Sequence, residues 1–256
     1  MALLSAKLNP LPLLAGVLVI AGAVGLLRDR ISAGAAAAKC AADGEPACGA
    51  ERADAGVQLR EGPAPAPVLE AGTACRDAGY LCADLANADR IQVRRWKNFA
   101  GTLVVHVPRP DFEDRNEAAR LQEAAVRGLR AWNGQPFAIL ADLRGDREAH
   151  FEVRWSRTLS GTQVGVARTQ WTTLTGLSVV AIELSTRNPF SPDRINDALQ
   201  VQLTAAHEMG HALGLPHSDA ERDVMYPTNT ATSISARDYR SMEALYEFAD
   251  GTEIVR

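Results

Sequence analysis

The sequence has no strong net charge, few aromatic residues, and only four cysteines and five histidines among 256 residues. A net charge of −4 gives no support for a nucleic-acid partner, and none is predicted. Aromatic residues make up 5% and apolar residues 46%, which allows one modest globular domain with additional segments. The scarcity of histidine is the informative feature, because three of the five histidines lie within a short stretch, residues 207–217.

This stretch reads HEMGHALGLPH. His207 and His211 are four positions apart, so on a helix they lie on one face and can bind the same metal ion. Glu208 points to the side of that ion, where a carboxylate can take a proton from a water molecule. Gly214 can adopt the left-handed angles that end a helix, and the turned chain returns His217 as a third ligand. Three protein ligands with an open fourth position are typical of catalytic zinc sites.

The spacing resembles the long zinc signature of the metzincin metalloproteases, H-E-x-x-H-x-x-G-x-x-H, at every position that the signature specifies. Residues 224–227, VMYP, are similar to the Met-turn of the matrixin branch, which places a methionine beneath the zinc. The resemblance implies a zinc-dependent endopeptidase with one catalytic zinc ion; calcium is left open. The residue roles that it implies are zinc ligands His207, His211 and His217, general base Glu208, and Met-turn residue Met225.

The resemblance also implies an α+β, zincin-like catalytic domain over residues 94–256, with a twisted mixed sheet and three helices. The apolar pattern agrees with this arrangement. Alternating apolar residues predict strands at 102–107, 151–155, 165–170 and 178–184. A helical period predicts helices at 111–132 and 196–213, and a capping box beginning at Ser235 predicts a last helix.

By the same resemblance, an extended protein or peptide substrate lies antiparallel to an edge strand above the zinc. The candidate substrate-binding residues are Gly165, Val166 and Ala167 in that strand, and Pro227, Thr228 and Asn229 in a pocket beyond the scissile bond. An ordinary strand and an ordinary loop are the alternatives for these two segments. The enzyme is expected to be a monomer.

An apolar, uncharged run at residues 8–27 has about the length that crosses a bilayer. Residues 1–30 are therefore predicted to be a signal peptide or a signal-anchor transmembrane helix. Residues 31–93 contain much alanine, glycine and proline without an apolar period, which predicts a mostly disordered linker or pro-region. The protein is expected to be exported, either membrane-anchored with the catalytic domain outside the cytoplasm, or secreted or periplasmic after cleavage.

The four cysteines form two close pairs, Cys40 with Cys48 and Cys75 with Cys82. An even number of cysteines behind an export signal favours local disulfides and an oxidising compartment. A metal site and a latency thiol are the alternatives. Neither matches the sequence as well, because no histidine lies nearby and no P-R-C-G-like segment is present.

Two other classes of function are compatible with the sequence. The first is a catalytically silent, zinc-containing peptide-binding module tethered to the membrane. The second is a membrane-tethered interaction protein whose segment 28–93 binds the partner. Glu208 argues against the first of these, because proteins that lose hydrolysis often change that base.

Overall fold

The computed structural model describes residues 65–112 and 114–256. The predicted signal or anchor segment at 8–27 and the Cys40–Cys48 pair lie outside these residues. Within the described part of the chain, no helix combines the length and apolarity needed to cross a membrane. The elements, in chain order, are β1 (Val68–Glu70), α1 (Ala71–Ala74), a 3₁₀ turn (Ala83–Ala86), β2 (Arg90–Gln92), β3 (Thr102–His106), α2 (Arg115–Arg130), β4 (Ala138–Asp142), β5 (Phe151–Ser156), β6 (Gly165–Thr172), β7 (Gly176–Ser185), β8 (Arg187–Asn188), β9 (Ser191–Ile195), α3 (Ala198–Leu213), α4 (Ala236–Glu247) and β10 (Glu253–Val255).

The central sheet is mixed and has the strand order β4-β3-β5-β7-β6. The strands β4, β3, β5 and β7 are parallel, and β6 runs antiparallel to β7 at the edge. The four strands predicted from alternation are confirmed as β3, β5, β6 and β7, and the three predicted helices as α2, α3 and α4. The sequence pattern missed β4, because its residues, AILAD, are mostly apolar and alternate little.

Helices α2 and α3 pack closely against each other. A Cβ atom on Gly128 of α2 would lie 2.8 Å from the Cβ of Ala205 and would overlap the carbonyl oxygen of Gln202. Trp132 follows α2, is fully buried, and donates its indole N–H to the carbonyl oxygen of Ala206 over 2.8 Å. These contacts hold α2 against the segment of α3 that precedes the histidine motif.

The segment from residue 68 to residue 93 is folded, so the prediction of a mostly disordered linker is wrong for this part of the chain. Strand β1 pairs in parallel with β10, and β2 pairs antiparallel with β10 on the other side. Tyr80, Leu81, Leu85 and Val93 are buried in the core. The sequence showed no apolar period here because the elements are short and are stabilised by pairing with the distant C-terminal strand. The predicted disulfide between Cys75 and Cys82 is confirmed.

Replacement of Gly128 by alanine tests the contact between α2 and α3. In an open helix this change stabilises by up to about 1 kcal/mol. At Gly128 we expect the opposite sign, a loss of roughly 1–3 kcal/mol in the free energy of unfolding, because the added methyl group overlaps α3. Urea unfolding measures the difference.

The matched control is Gly72→Ala in α1, where an added Cβ meets no atom within 4 Å. We expect that variant to unfold at the same urea concentration as the unmodified chain or slightly above it. If both alanine variants proved equally stable, the close packing of α2 on α3 would be refuted.

Candidate metal centre

Three histidines converge at the end of α3. The helix begins after Asp197, whose carboxylate accepts a hydrogen bond from the backbone N–H of Gln200. His207 and His211 lie one turn apart near the C-terminus of this helix, and their Nε2 atoms are 3.1 Å from each other. Gly214 has a φ of 109°, which ends the helix and turns the chain back toward His217. The ligand nitrogens of the three histidines all lie within 4.8 Å of one another.

The hydrogen bonds of the first two histidines determine which nitrogen faces the centre. Nδ1 of His207 is 2.8 Å from the carbonyl oxygen of Val224, and Nδ1 of His211 is 2.8 Å from that of Leu215. A carbonyl oxygen accepts only, so each Nδ1 carries the proton and each Nε2 presents a lone pair. Two lone pairs that face each other are stabilised by a cation between them. Tetrahedral zinc–nitrogen bonds place ligand nitrogens about 3.3 Å apart, so the arrangement fits a metal ion.

Burial favours the neutral, metal-binding form of all three imidazoles. It lowers the pKa of His207 and of His217 below the ordinary value. For His211, burial and then the neighbouring His207 lower the pKa to about 3. Neutral histidines need not lose a proton before they bind a metal, so the centre is prepared for a cation at neutral pH.

Glu208 lies beside the triad and is 6% exposed. Burial raises the pKa of Glu208 to about 7, although the nearby backbone N–H of Ala167 acts in the opposite direction. Ala167 belongs to the edge strand β6. The strand approaches this closely because residue 165 is glycine: a Cβ there would lie 2.8 Å from Oε1 of Glu208. A carboxyl group that titrates near neutrality, next to a metal centre, is suited to proton transfer.

The Met-turn lies against α3. Met225 is fully buried, and its sulfur occupies the space that a Cβ on Gly210 would need. Gly210 stands directly before His211 in the chain. The methionine therefore packs on the backbone between the two helical histidines.

Two buried aspartates, which sequence reasoning did not identify as functional, support the Met-turn. Asp238 accepts hydrogen bonds from the backbone N–H of Val224 over 2.9 Å and from that of Ser235 over 2.8 Å. Asp223 accepts from the hydroxyl groups of Ser218 and Ser235. The predicted capping box at the start of α4 is present and contains Asp238. It is a local signal, and only the folded chain shows that the same carboxylate also binds Val224.

The triad and Glu208 open into a cleft of about 570 Å³. All six candidate substrate-binding residues line this cleft: Gly165, Val166, Ala167, Pro227, Thr228 and Asn229. Sequence reasoning missed Phe190, which is 79% exposed at the β8–β9 turn, and Thr204, which lies one turn before His207. The amide of Asn229 donates to the hydroxyl oxygen of Thr204 over 2.6 Å. The i, i+3 spacing of Thr204 and His207 could have placed Thr204 on the metal-binding face.

The environment of Asp223 predicts a pH-dependent stability. Burial by itself raises the pKa of this carboxyl group, but hydrogen bonds from Ser218, Ser235 and Arg237 outweigh it and hold the pKa below the ordinary value. A lowered carboxyl pKa stabilises the fold at neutral pH, and the stabilisation is lost as the pH falls from about 4 through the folded-state pKa. We therefore expect Asp223→Asn to lower the free energy of unfolding by roughly 1–3 kcal/mol at pH 7. The difference should shrink below pH 4 in urea unfolding curves.

Asp146→Asn, at an exposed aspartate, is the control, and we expect it to leave stability unchanged at both pH values. A difference for Asp223→Asn that stayed constant between pH 7 and pH 3 would contradict the assigned role of the carboxylate.

Comparison with known proteins agrees with the geometry of the site. The matrixin family of peptidases, Peptidase_M10, matches residues 117–247, slightly more than half of the chain. The macrophage metalloelastase of Rattus norvegicus is similar to this chain, with 46% identity over 50 residues. That similarity covers 17% of this chain and 10% of the relative, so the chain spans only a small part of that relative's length. The family match includes the three histidines, Glu208 and Met225, and the chain belongs to the matrixin family of metalloproteases.

Proposed function

We propose that this chain is a zinc-dependent endopeptidase that hydrolyses peptide bonds in extended protein or peptide substrates. The proposal depends on the position of Glu208. Its buried carboxylate lies between three convergent histidines and the edge strand β6, and all of these line one cleft. Membership of the matrixin family supports metalloprotease activity in general.

The metal would be held by His207, His211 and His217, with Nε2 as the ligand atom of the two helical histidines. Zinc bound there supplies a Lewis acid that polarises a carbonyl group and lowers the pKa of a water molecule. The backbone carbonyl groups of Val224 and Leu215 hold the two imidazoles in the orientation that this binding needs.

Glu208 would move the proton. As water adds to the carbonyl carbon of the scissile peptide, one of its protons passes to the carboxylate of Glu208. The carboxyl group then gives that proton to the amide nitrogen, and the carbon–nitrogen bond breaks to release an amine and a carboxylic acid. Burial raises the pKa of Glu208 above the ordinary carboxyl value, which makes its carboxylate a stronger base for the first step.

The substrate would add to the central sheet along β6. Among the described residues, β6 pairs within this sheet only with β7, so its other edge faces the cleft. A peptide in an extended conformation can pair with such an edge through its backbone. This pairing would place a peptide bond beside the metal whatever side chains the substrate carries. Selectivity then depends on side chains such as Thr204 and Asn229.

The proposal extends to an exported, monomeric enzyme. The disulfide between Cys75 and Cys82 supports an oxidising compartment. Attachment to a membrane depends on residues 8–27, which lie outside the described residues.

Glu208→Gln tests the assignment of the general base. We expect hydrolysis of internally quenched peptides to fall roughly 10²- to 10⁴-fold, because the amide cannot accept the proton of the attacking water. Zinc content, measured on the same preparation by atomic absorption, should stay at one ion per chain. The matched control is Glu243→Gln at an exposed position of α4, which should keep full activity.

A chelator should abolish the activity of the unmodified chain, and added zinc should restore it. If hydrolysis persisted both in the unmodified chain with chelator and in the Glu208→Gln variant, the proposal would be refuted.

Thr204→Val tests the pocket beside the metal. The change removes the hydroxyl group that accepts from Asn229 and leaves an apolar surface of the same shape. We expect the preference for a polar over an apolar substrate side chain next to the scissile bond to rise roughly 5- to 10-fold. The amide of Asn229 loses its acceptor and can donate to the substrate instead, and a hydrogen bond contributes about 1–1.5 kcal/mol. Mass spectrometry of the products from a peptide library measures the preference.

Thr158→Val, at an exposed threonine that does not line the cleft, is the matched control and should leave the preference unchanged. An unchanged preference in Thr204→Val would exclude this residue as a determinant of specificity.

A further inference from the structure

A short loop at the N-terminal side of the domain is closed by the disulfide between Cys75 and Cys82 and lies against the start of α4. Tyr80 of this loop is 1% exposed. Its hydroxyl group donates to Oδ1 of Asp238 over 2.9 Å, and its backbone N–H donates to the hydroxyl oxygen of Ser241 over 3.0 Å. The loop is therefore bound to α4 by buried hydrogen bonds between residues that are about 160 positions apart in sequence.

The carboxylate of Asp238 also begins a series of hydrogen bonds that reaches the metal centre. Oδ2 of Asp238 accepts the backbone N–H of Val224 over 2.9 Å, and the carbonyl oxygen of Val224 accepts Nδ1–H of His207 over 2.8 Å. Each contact in this series is a hydrogen bond between buried groups. A displacement of Asp238 would therefore move the backbone of Val224 and the imidazole of His207.

We propose that Tyr80 is a positioning residue for the metal centre, acting through Asp238 and Val224 on His207. The inference rests on the proposed function, because it takes the three histidines to be zinc ligands. With Oδ1 of Asp238 bound by the phenol, the carboxylate is held in the orientation that presents Oδ2 to Val224. Partners behind metal-ligating histidines commonly change metal affinity by 10- to 100-fold when they are removed.

The surroundings of Tyr80 hold its ring in place and keep its hydroxyl group protonated. The guanidinium group of Arg237 lies over the ring, 5.3 Å from its centroid. Burial, and then the charge of Asp238, raise the pKa of Tyr80, so the hydroxyl group stays protonated and keeps donating. The disulfide restricts the loop that carries this side chain, which lowers the entropy that the loop would otherwise gain by detaching.

Zinc affinity of the full-length chain tests the proposal, because it needs no substrate and no activity. Tyr80→Phe keeps the ring and removes the hydroxyl group. We expect the zinc dissociation constant, measured by competition with a chromogenic chelator, to rise roughly 10-fold. Cobalt bound in place of zinc should show a changed visible spectrum, which reports the ligand geometry directly.

The matched control is Tyr239→Phe. Its hydroxyl group also donates one hydrogen bond, to the carbonyl oxygen of Ala131 over 3.1 Å, and this bond leads away from Asp238 and Val224. We expect this variant to lose similar stability in urea unfolding while keeping the zinc affinity and the cobalt spectrum of the unmodified chain.

The outcomes separate the two proposals. Equal zinc affinities and equal cobalt spectra in all three proteins would overturn the positioning role of Tyr80 and leave the proposed function intact. A folded, unmodified chain that bound no zinc would overturn both. A chain that bound zinc with the expected difference between variants but hydrolysed no peptide would support the role of Tyr80 and refute the endopeptidase.

Discussion

The backbone of Val224 is held by two hydrogen bonds on which the geometry of the candidate metal centre depends. Its N–H donates to the buried carboxylate of Asp238, and its carbonyl oxygen accepts from Nδ1 of His207. The first bond connects the Met-turn to the start of α4, and the second selects the tautomer that leaves Nε2 of His207 free for a metal. Met225 follows directly and packs under α3. Loss of this support would change the orientation of His207 without removing any of the three histidines.

Close packing around α3 is the second constraint, and it explains why small residues occur where they do. Gly128 lets α2 approach the helix, and Gly165 lets the edge strand β6 reach the carboxylate of Glu208. At both glycines, atoms of a neighbouring element fill the space that a side chain would occupy. The face of α3 that carries the two histidines is therefore shielded from water on several sides. This burial lowers the pKa of His207 and raises that of Glu208.

Much of the candidate site follows from local sequence. The four-residue spacing of His207 and His211 and the glycine at 214 place the three histidines by helical geometry and a local turn. Alternation identified the strand β6 that borders the cleft. The sequence analysis does not identify Thr204, although its spacing from His207 is visible in the sequence. A single threonine on a helix does not indicate a binding site, and only the fold brings Asn229 to its hydroxyl group.

The sequence of residues 68–93 predicts a linker, because a short strand or a single turn leaves no periodic pattern. Local sequence thus determined the spacing of the histidines, the helix end, the capping box and most strands of the central sheet, since these depend on neighbours within a few residues. Only the tertiary structure decided that Tyr80 reaches Asp238, that β1 and β2 pair with β10, and that Ala167 contacts Glu208. These contacts join positions that are distant in the chain, and the packing of the whole domain brings them together.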